Sequence, residues 1–208
     1  MALSSYHQKY AARLDEELAR RAMVKRDELA RIFKATKYIP QQDPVRVAVL
    51  GCADRRFVAH HRRVFESLLK KQVELTTFDI AIEHLKGEEG VIQHDCTLPF
   101  PSAPYDITFS HVLLKFIEIE KQWDVIRNSY DALRPSGLAI HVFDTEDVTA
   151  TSSPRQADGY FSVPLDRWKK KLADEHVKFL DLRWTISVDG PKNSIRGVKG
   201  GALVLLKS

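Results

Sequence analysis

The sequence predicts an α/β protein. It reads as a three-layer sandwich in which a seven-stranded, mostly parallel sheet with an antiparallel last strand lies between two layers of helices. Three observations lead there. Short apolar runs recur along the chain: VRVAVL at Val45–Leu50, VELTTF at Val73–Phe78, DITFSH at Asp106–His111 and LAIHVF at Leu138–Phe143. Near-continuous runs of this kind mark strands buried on both faces. Segments of helical period separate most of them, the alternation that builds parallel strands with crossovers. The last two strands have no helix between them, so they pair antiparallel, and the seventh returns between its neighbours.

The elements follow in order. Residues 5–36 read as a helix, with Tyr6, Tyr10, Leu14 and Leu18 recurring every fourth position and Ser4 or Ser5 as the cap. Pro40 and Pro44 bracket the break that ends it. Strand Val45–Leu50 runs straight into Gly51, and Phe57–Lys71 carries helical spacing through Val58, Val64, Phe65, Leu68 and Leu69. Val73–Phe78 is the second strand, ending at Asp79, and Val91–Gln93 a short third. LPFPSAP, residues 98–104, is a proline-punctuated loop before the fourth strand, Asp106–His111. Trp123, Ile126, Tyr130 and Leu133 mark a helix expected to stop at Arg134-Pro135-Ser136-Gly137, before a fifth strand at Leu138–Phe143. Residues 144–159 read as a mobile polar loop. Ser162 and Pro164 open a helix to about His176, since proline is tolerated in a first helical turn. Phe179–Val188 and Ala202–Leu206 are the last two strands. The division expected is one domain over 1–208, with a helical cap at 1–40, a core at 45–143, a loop at 144–161 and a closing helix with two strands at 162–208.

Composition bounds the class. The chain has 208 residues, 44% hydrophobic and 29% charged, which is globular and excludes wholesale disorder or a collagen-like fibre. With only Cys52 and Cys96, a reducing compartment is expected rather than a disulfide scaffold, and no apolar run is long enough for a membrane span. The start of the chain shows no secretory leader, so a cytoplasmic setting is expected. The net charge of +4 is segregated: residues 72–166 hold 16 acidic and 6 basic side chains, while 1–37, 55–71 and 167–208 are basic. A chain with an acidic middle is not uniformly a polyanion binder, so nucleic acid is a possible partner but not the favoured one.

In sheets of this kind ligands bind at the carboxyl ends of the strands, near the point where strand order reverses. That edge carries Gly51, Asp79, Asp95 and Ser110-His111. The runs VAVLGCADRRF, TTFDI, IQHDCTLPFPSAPYDITFSHVLLKFI and SYDALRPSGLAIHVF resemble class I S-adenosylmethionine-dependent methyltransferases of the small-molecule "type 11" kind, over residues 45–143. The resemblance implies a Rossmann-like fold, S-adenosylmethionine as cofactor and a small-molecule methyl acceptor. It implies that Gly51, Cys52, Ala53 and Arg55 wrap the methionine part, with Ser110 on the same edge. Asp79, followed by Ile80, takes the ribose hydroxyls, and Asp95 beside Cys96 meets the adenine amine. The physics agrees, because a carboxylate accepts two hydrogen bonds from a cis-diol and a glycine lets backbone approach a ligand. The sequence departs from the family at Val49, Ala53 and Arg55, where an acid and two glycines are usual, and at Leu114-Lys115, where Glu-His is frequent.

Methyl transfer needs a nucleophile held in line and sometimes a base, so no fixed triad is required. His111, Lys115 and Asp144 are the catalytic candidates facing the cleft, whereas His141 lies within a strand and reads as a core histidine. Tyr6, Tyr10, Tyr160 and Phe161 are candidates to line an acceptor pocket. No metal is expected. Cys52-Ala53-Asp54-Arg55-Arg56 resembles the zinc motif of β-class carbonic anhydrases, but its partner ligands would have to come from His94-Asp95-Cys96 at the wrong spacing. His60 and His61 diverge by about 100° on one helix and read as solvated. The competing functions are an inactive relative serving as a binding partner or scaffold, and a nucleotide- or RNA-binding module using the arginines at the start of the first sheet helix.

Overall fold

The computed structural model describes residue 8 and residues 12–148, 160–189 and 195–208. Its strands are β1 (Val45–Leu50), β2 (Val73–Asp79), β3 (Val91–Gln93), β4 (Tyr105–His111), β5 (Leu133–Asp144), β6 (Lys178–Asp189) and β7 (Ile195–Leu206). They form one sheet in the order β3-β2-β1-β4-β5-β7-β6. Every pairing is parallel except those of β7, which runs antiparallel to both β5 and β6. Strand order reverses at β1 and β4, where Leu50 lies beside Phe78 on one side and Ser110 on the other.

Among the described residues four α-helices cover the sheet: α1 (Asp15–Thr36), α2 (Arg56–Leu69), α3 (Ile119–Asp131) and α4 (Leu165–Asp174). Alternation along each strand splits the core into two. Val47, Val49, Ile107, Phe109, Ile140 and Val142 pack with Leu29 and Ile32 of α1 and Phe57, Val64 and Phe65 of α2. Ala48, Leu50, Ala139 and Phe143 turn the other way, onto Val125 and Ile126 of α3 and Trp168 and Leu172 of α4. A sheet whose strands bury both faces has no polar stripe, which explains the continuous apolar runs.

Gln122, wholly buried in α3, joins parts that the sheet does not. Its amide nitrogen lies 2.9–3.1 Å from the carbonyls of Leu114, Ile117 and Ser162, and its amide oxygen accepts the Trp168 indole N–H at 3.1 Å. The short helix after β4 (Leu114–Phe116) is thereby fixed to α3 and α4.

Several boundaries differ from expectation. Helix α1 covers Asp15–Thr36; residues 12–14 are not helical, Leu14 is 76% exposed outside it, and the start expected near Ser5 lies outside the described residues. Its first turn holds Asp15, Glu16 and Glu17, which favour a helix start there through the macrodipole. Ser4, Ser5, Tyr6 and Tyr10 lie outside the described residues. Arg134–Gly137 is not a turn before β5 but its first part: Leu133 already pairs with Tyr105, and a register shift absorbs the extra residues before Ile107 meets Leu138. Such a bulge lets Pro135 sit in a strand without breaking the ladder. The stretch after β5 begins in order, with a short helix at Thr145–Asp147 and a bridge from Val148 to Val163. Residues 149–159 and 190–194 of the two expected links lie outside the described residues.

Candidate functional site

The carboxyl edge of β1 and β2 is built around one carboxylate. Asp79 ends β2, 7% exposed, and its two oxygens accept the backbone N–H groups of Cys52 at 2.8 Å and Ala81 at 3.1 Å. A carboxylate offers about four acceptor positions, so each oxygen keeps capacity for a further donor. Gly51 stands at φ +76°, in the left-handed region where a side chain is strained, and an added Cβ would meet Leu113 Cδ1 at 3.0 Å. Beside Asp79, Ile80 is 67% exposed, an apolar side chain at the sheet edge, and its carbonyl accepts from Gln93 Nε2 at 3.1 Å. Ala53 is half-buried in the same turn.

Arg55, in the same turn, reaches Glu88, with its Nε at 3.1 Å and most of its side chain exposed. Arg56 instead turns onto buried Asp54, with Nη2 at 2.6 Å and Nε at 2.9 Å. Burial works against the charge of Asp54, but the Arg56 bonds outweigh it and hold this carboxyl below its ordinary range. The turn after β1 is therefore braced by its own ion pair.

Asp95, after β3, spends one oxygen in an Asx turn, accepting the backbone N–H and the hydroxyl of Thr97 at 2.9 and 2.8 Å. The backbone bond from Thr97 lowers its pKa. Cys52 and Cys96 are free, buried thiols, pushed up by burial to about 11 and about 12, so neither is a ready nucleophile. Cys52 Sγ–H donates to the carbonyl of Asp54. Among the described residues no group of three or more His, Cys, Asp and Glu side chains is arranged to hold a metal ion.

The end of β4 divides its residues between two faces. Ser110, wholly buried, points into the core rather than the cleft: its hydroxyl is 2.9 Å from His141 Nδ1, whose Nε2 is 2.8 Å from Ser129 Oγ. Burial lowers His141 to about 4, and both ring nitrogens are partnered, as a core histidine requires. The next residue, His111, faces α1. Its Nε2 is 2.9 Å from Glu28 Oε2, and the other oxygen of Glu28 lies 3.3 Å from the Trp184 indole nitrogen. Lys25, on the same side of α1, reaches His61 Nε2 at 3.3 Å and lies 4.0 Å over the Phe57 ring. Burial pushes Lys25 down to about 8. His61 is 2% exposed, not solvated, because α2 turns it under α1 against the rings of Phe57 and Phe109. His60 is half-buried, its Nε2 near the carbonyl of Ala22.

Two of the catalytic candidates meet. Lys115 Nζ lies 3.3 Å from Asp144 and 3.0 Å from Asp147, itself 4% exposed. Burial opposes the ammonium, yet the two carboxylates outweigh it and raise the lysine's pKa. Lys115 is thus a fixed cation, not a base. Tyr160 packs on Phe116 and sits 5.1 Å from Lys115 Nζ. A shallow, open depression beyond Asp144 is lined by Thr145, Arg183, Trp184, Thr185 and Lys199.

Sequence reasoning did not single out Lys25, Glu28 or Asp147. Lys25 carried a signal: it falls in line with Leu18, Leu29 and Ile32, the stripe that α1 buries. A charge inside an apolar stripe is rarely left unpaired. Asp147 sits in a polar stretch and carried none.

No protein-family model matches the sequence, and no curated protein matches it. The fold does have solved counterparts. One is TehB from Haemophilus influenzae, at a TM-score of 0.52 and 19% identity over 79% of this chain and 58% of that one. A S-adenosylmethionine-dependent methyltransferase from Clostridium acetobutylicum aligns at 0.57 with 8% identity, over 98% and 96% of the two chains. Magnesium protoporphyrin IX methyltransferase, ChlM, from Synechocystis, solved with bound SAM, aligns at 0.54 with 14% identity over 100% and 86%. This chain therefore has the fold of class I S-adenosylmethionine-dependent methyltransferases.

Proposed function

We propose that the protein is an S-adenosylmethionine-dependent methyltransferase acting on a small-molecule acceptor. The observation that carries this is the junction of Gly51, Cys52 and Asp79 at the point of strand-order reversal. A glycine in left-handed conformation opens the backbone, and the carboxylate beside it is fixed by two amides while keeping free acceptor capacity. These residues fit the cofactor. Asp79 would hold the ribose hydroxyls, the Gly51–Ala53 turn the methionine part, and Ile80 with Asp95 the adenine. The bound cofactor supplies a methyl group on a positively charged sulfur. The chain's contribution is to orient the acceptor and exclude water. No helix among the described residues is long and apolar enough to cross a membrane.

A specific observation favours a second reading, a methyltransferase-fold protein without catalysis. Leu113 packs directly over Gly51, and Val49, Ala53 and Arg55 stand where an acid and two glycines are usual. One titration separates the readings. Calorimetry with S-adenosylmethionine and S-adenosylhomocysteine is expected to show saturable binding that Asp79→Ala abolishes. Absence of heat at millimolar ligand would overturn the enzyme reading in favour of the scaffold.

A further inference from the structure

Glu28 is a carboxylate in an apolar setting, 3% exposed between α1 and the sheet. Burial of that charge is costly unless it is paired and hydrogen-bonded. Lys25, one turn earlier on the same helix, is turned to His61. What Glu28 has are two N–H partners from the sheet, His111 Nε2 at 2.9 Å and Trp184 Nε1 at 3.3 Å. The indole fixes one oxygen, so the other is held at the histidine.

Pairing Nε2 with a carboxylate places the imidazole proton on that nitrogen and leaves the lone pair on Nδ1. His111 is the last residue of β4, and its side chain is 23% exposed against 4% for Glu28. The ring thus stands between a buried carboxylate and the open carboxyl edge, beside the strand that leads into Gly51. A ring nitrogen oriented by a buried carboxylate is the arrangement by which proteins hold a neutral histidine ready to take a proton. His141, paired with Ser110 in the sheet, has both nitrogens spent on serines and cannot serve.

We infer that His111 is a catalytic base toward the methyl acceptor, that Glu28 is the positioning residue setting its tautomer, and that the acceptor is accordingly a hydroxyl or amine carrying a proton to lose. This rests on the methyltransferase reading. The acceptor's O–H or N–H proton passes to Nδ1 as the acceptor's electron pair forms the bond to the methyl carbon. The pair from the broken carbon–sulfur bond stays with the donor's sulfur. The imidazolium so formed is held against Glu28.

The test needs no identified acceptor. Nitrogen-15 correlation spectra of the full chain, with His111 assigned by its loss in His111→Gln, are expected to show the proton on Nε2 and a bare Nδ1. A proton on Nδ1 would overturn the inference. Diethyl pyrocarbonate, which acylates unprotonated imidazole nitrogen, is expected to modify His111 in the wild type, as read by peptide mass spectrometry. Glu28→Gln should slow that modification several-fold, and Trp184→Phe, which spares the carboxylate, should leave it near the wild-type rate. Equal rates in wild type and Glu28→Gln would mean that the pair only ties α1 to the sheet. The cofactor titration is read separately: binding without His111 reactivity defeats the base alone, and absent binding defeats the methyltransferase reading.

Discussion

Asp79 Oδ2 accepts the backbone N–H of Cys52 at 2.8 Å, tying the last residue of β2 to the first residue past Gly51. The two residues belong to different strands, so the bond fixes the turn after β1 against its neighbour in the sheet. Asp79→Ala removes the acceptor and leaves a buried N–H unsatisfied. The expected loss of stability is about 1–3 kcal/mol, read by urea denaturation. Asp79→Asn, which keeps one carbonyl oxygen, should lose less.

Gly51→Ala meets two obstacles, a φ of +76° and Leu113 Cδ1 at 3.0 Å. The backbone part alone costs about 1–2 kcal/mol. Adding Leu113→Ala relieves the contact but not the conformation, so the double variant should recover only part of the loss in the midpoint of thermal unfolding.

Lys115 offsets Asp144 and the buried Asp147 together. Lys115→Met strands Asp147 as an uncompensated charge, and breaking such a pair typically costs about 3 kcal/mol. Asp147→Asn in the same chain should return a large share of it, and a double-mutant cycle measures the coupling.

His141 ties stability to pH. Its pKa falls from the ordinary 6.5 to about 4 on burial, so below 6.5 the unfolded chain takes up a proton that the folded chain refuses. The stabilising contribution is complete above about 6.5, declines as pH falls toward 4 and levels off below that, amounting to about 3 kcal/mol. His61, lowered for the same reason, adds to the loss at acid pH. Unfolding free energies across this range should fall less steeply in His141→Gln than in the wild type.

The strands were legible because a doubly covered sheet writes itself as apolar runs, and β1 and β3 match residue for residue. The helix–strand boundary at Leu133 was not, because a proline and a glycine read as a turn whatever register the neighbouring strand imposes. Within the site, Gly51 and Asp79 were visible as strand-end residues, and His141 as a core histidine by its place inside a run. The side to which a strand-end residue turns was less visible. Ser110 and His111 are adjacent, yet one is sealed beneath α3 and the other meets α1. Glu28 lay furthest from reach, because its partners are 83 and 156 residues away in sequence.

Gln122 makes separate segments into one cooperative unit. A single amide meets three carbonyls and one indole, so the turn after β4, α3 and α4 cannot loosen independently without leaving a buried polar group bare. Amide hydrogen exchange across these segments should share one opening free energy, and Gln122→Leu should split it. The short helix that carries Lys115 to the sheet edge thus takes its rigidity from α3 and α4. A change in how α4 docks would be felt at the carboxyl edge of β4.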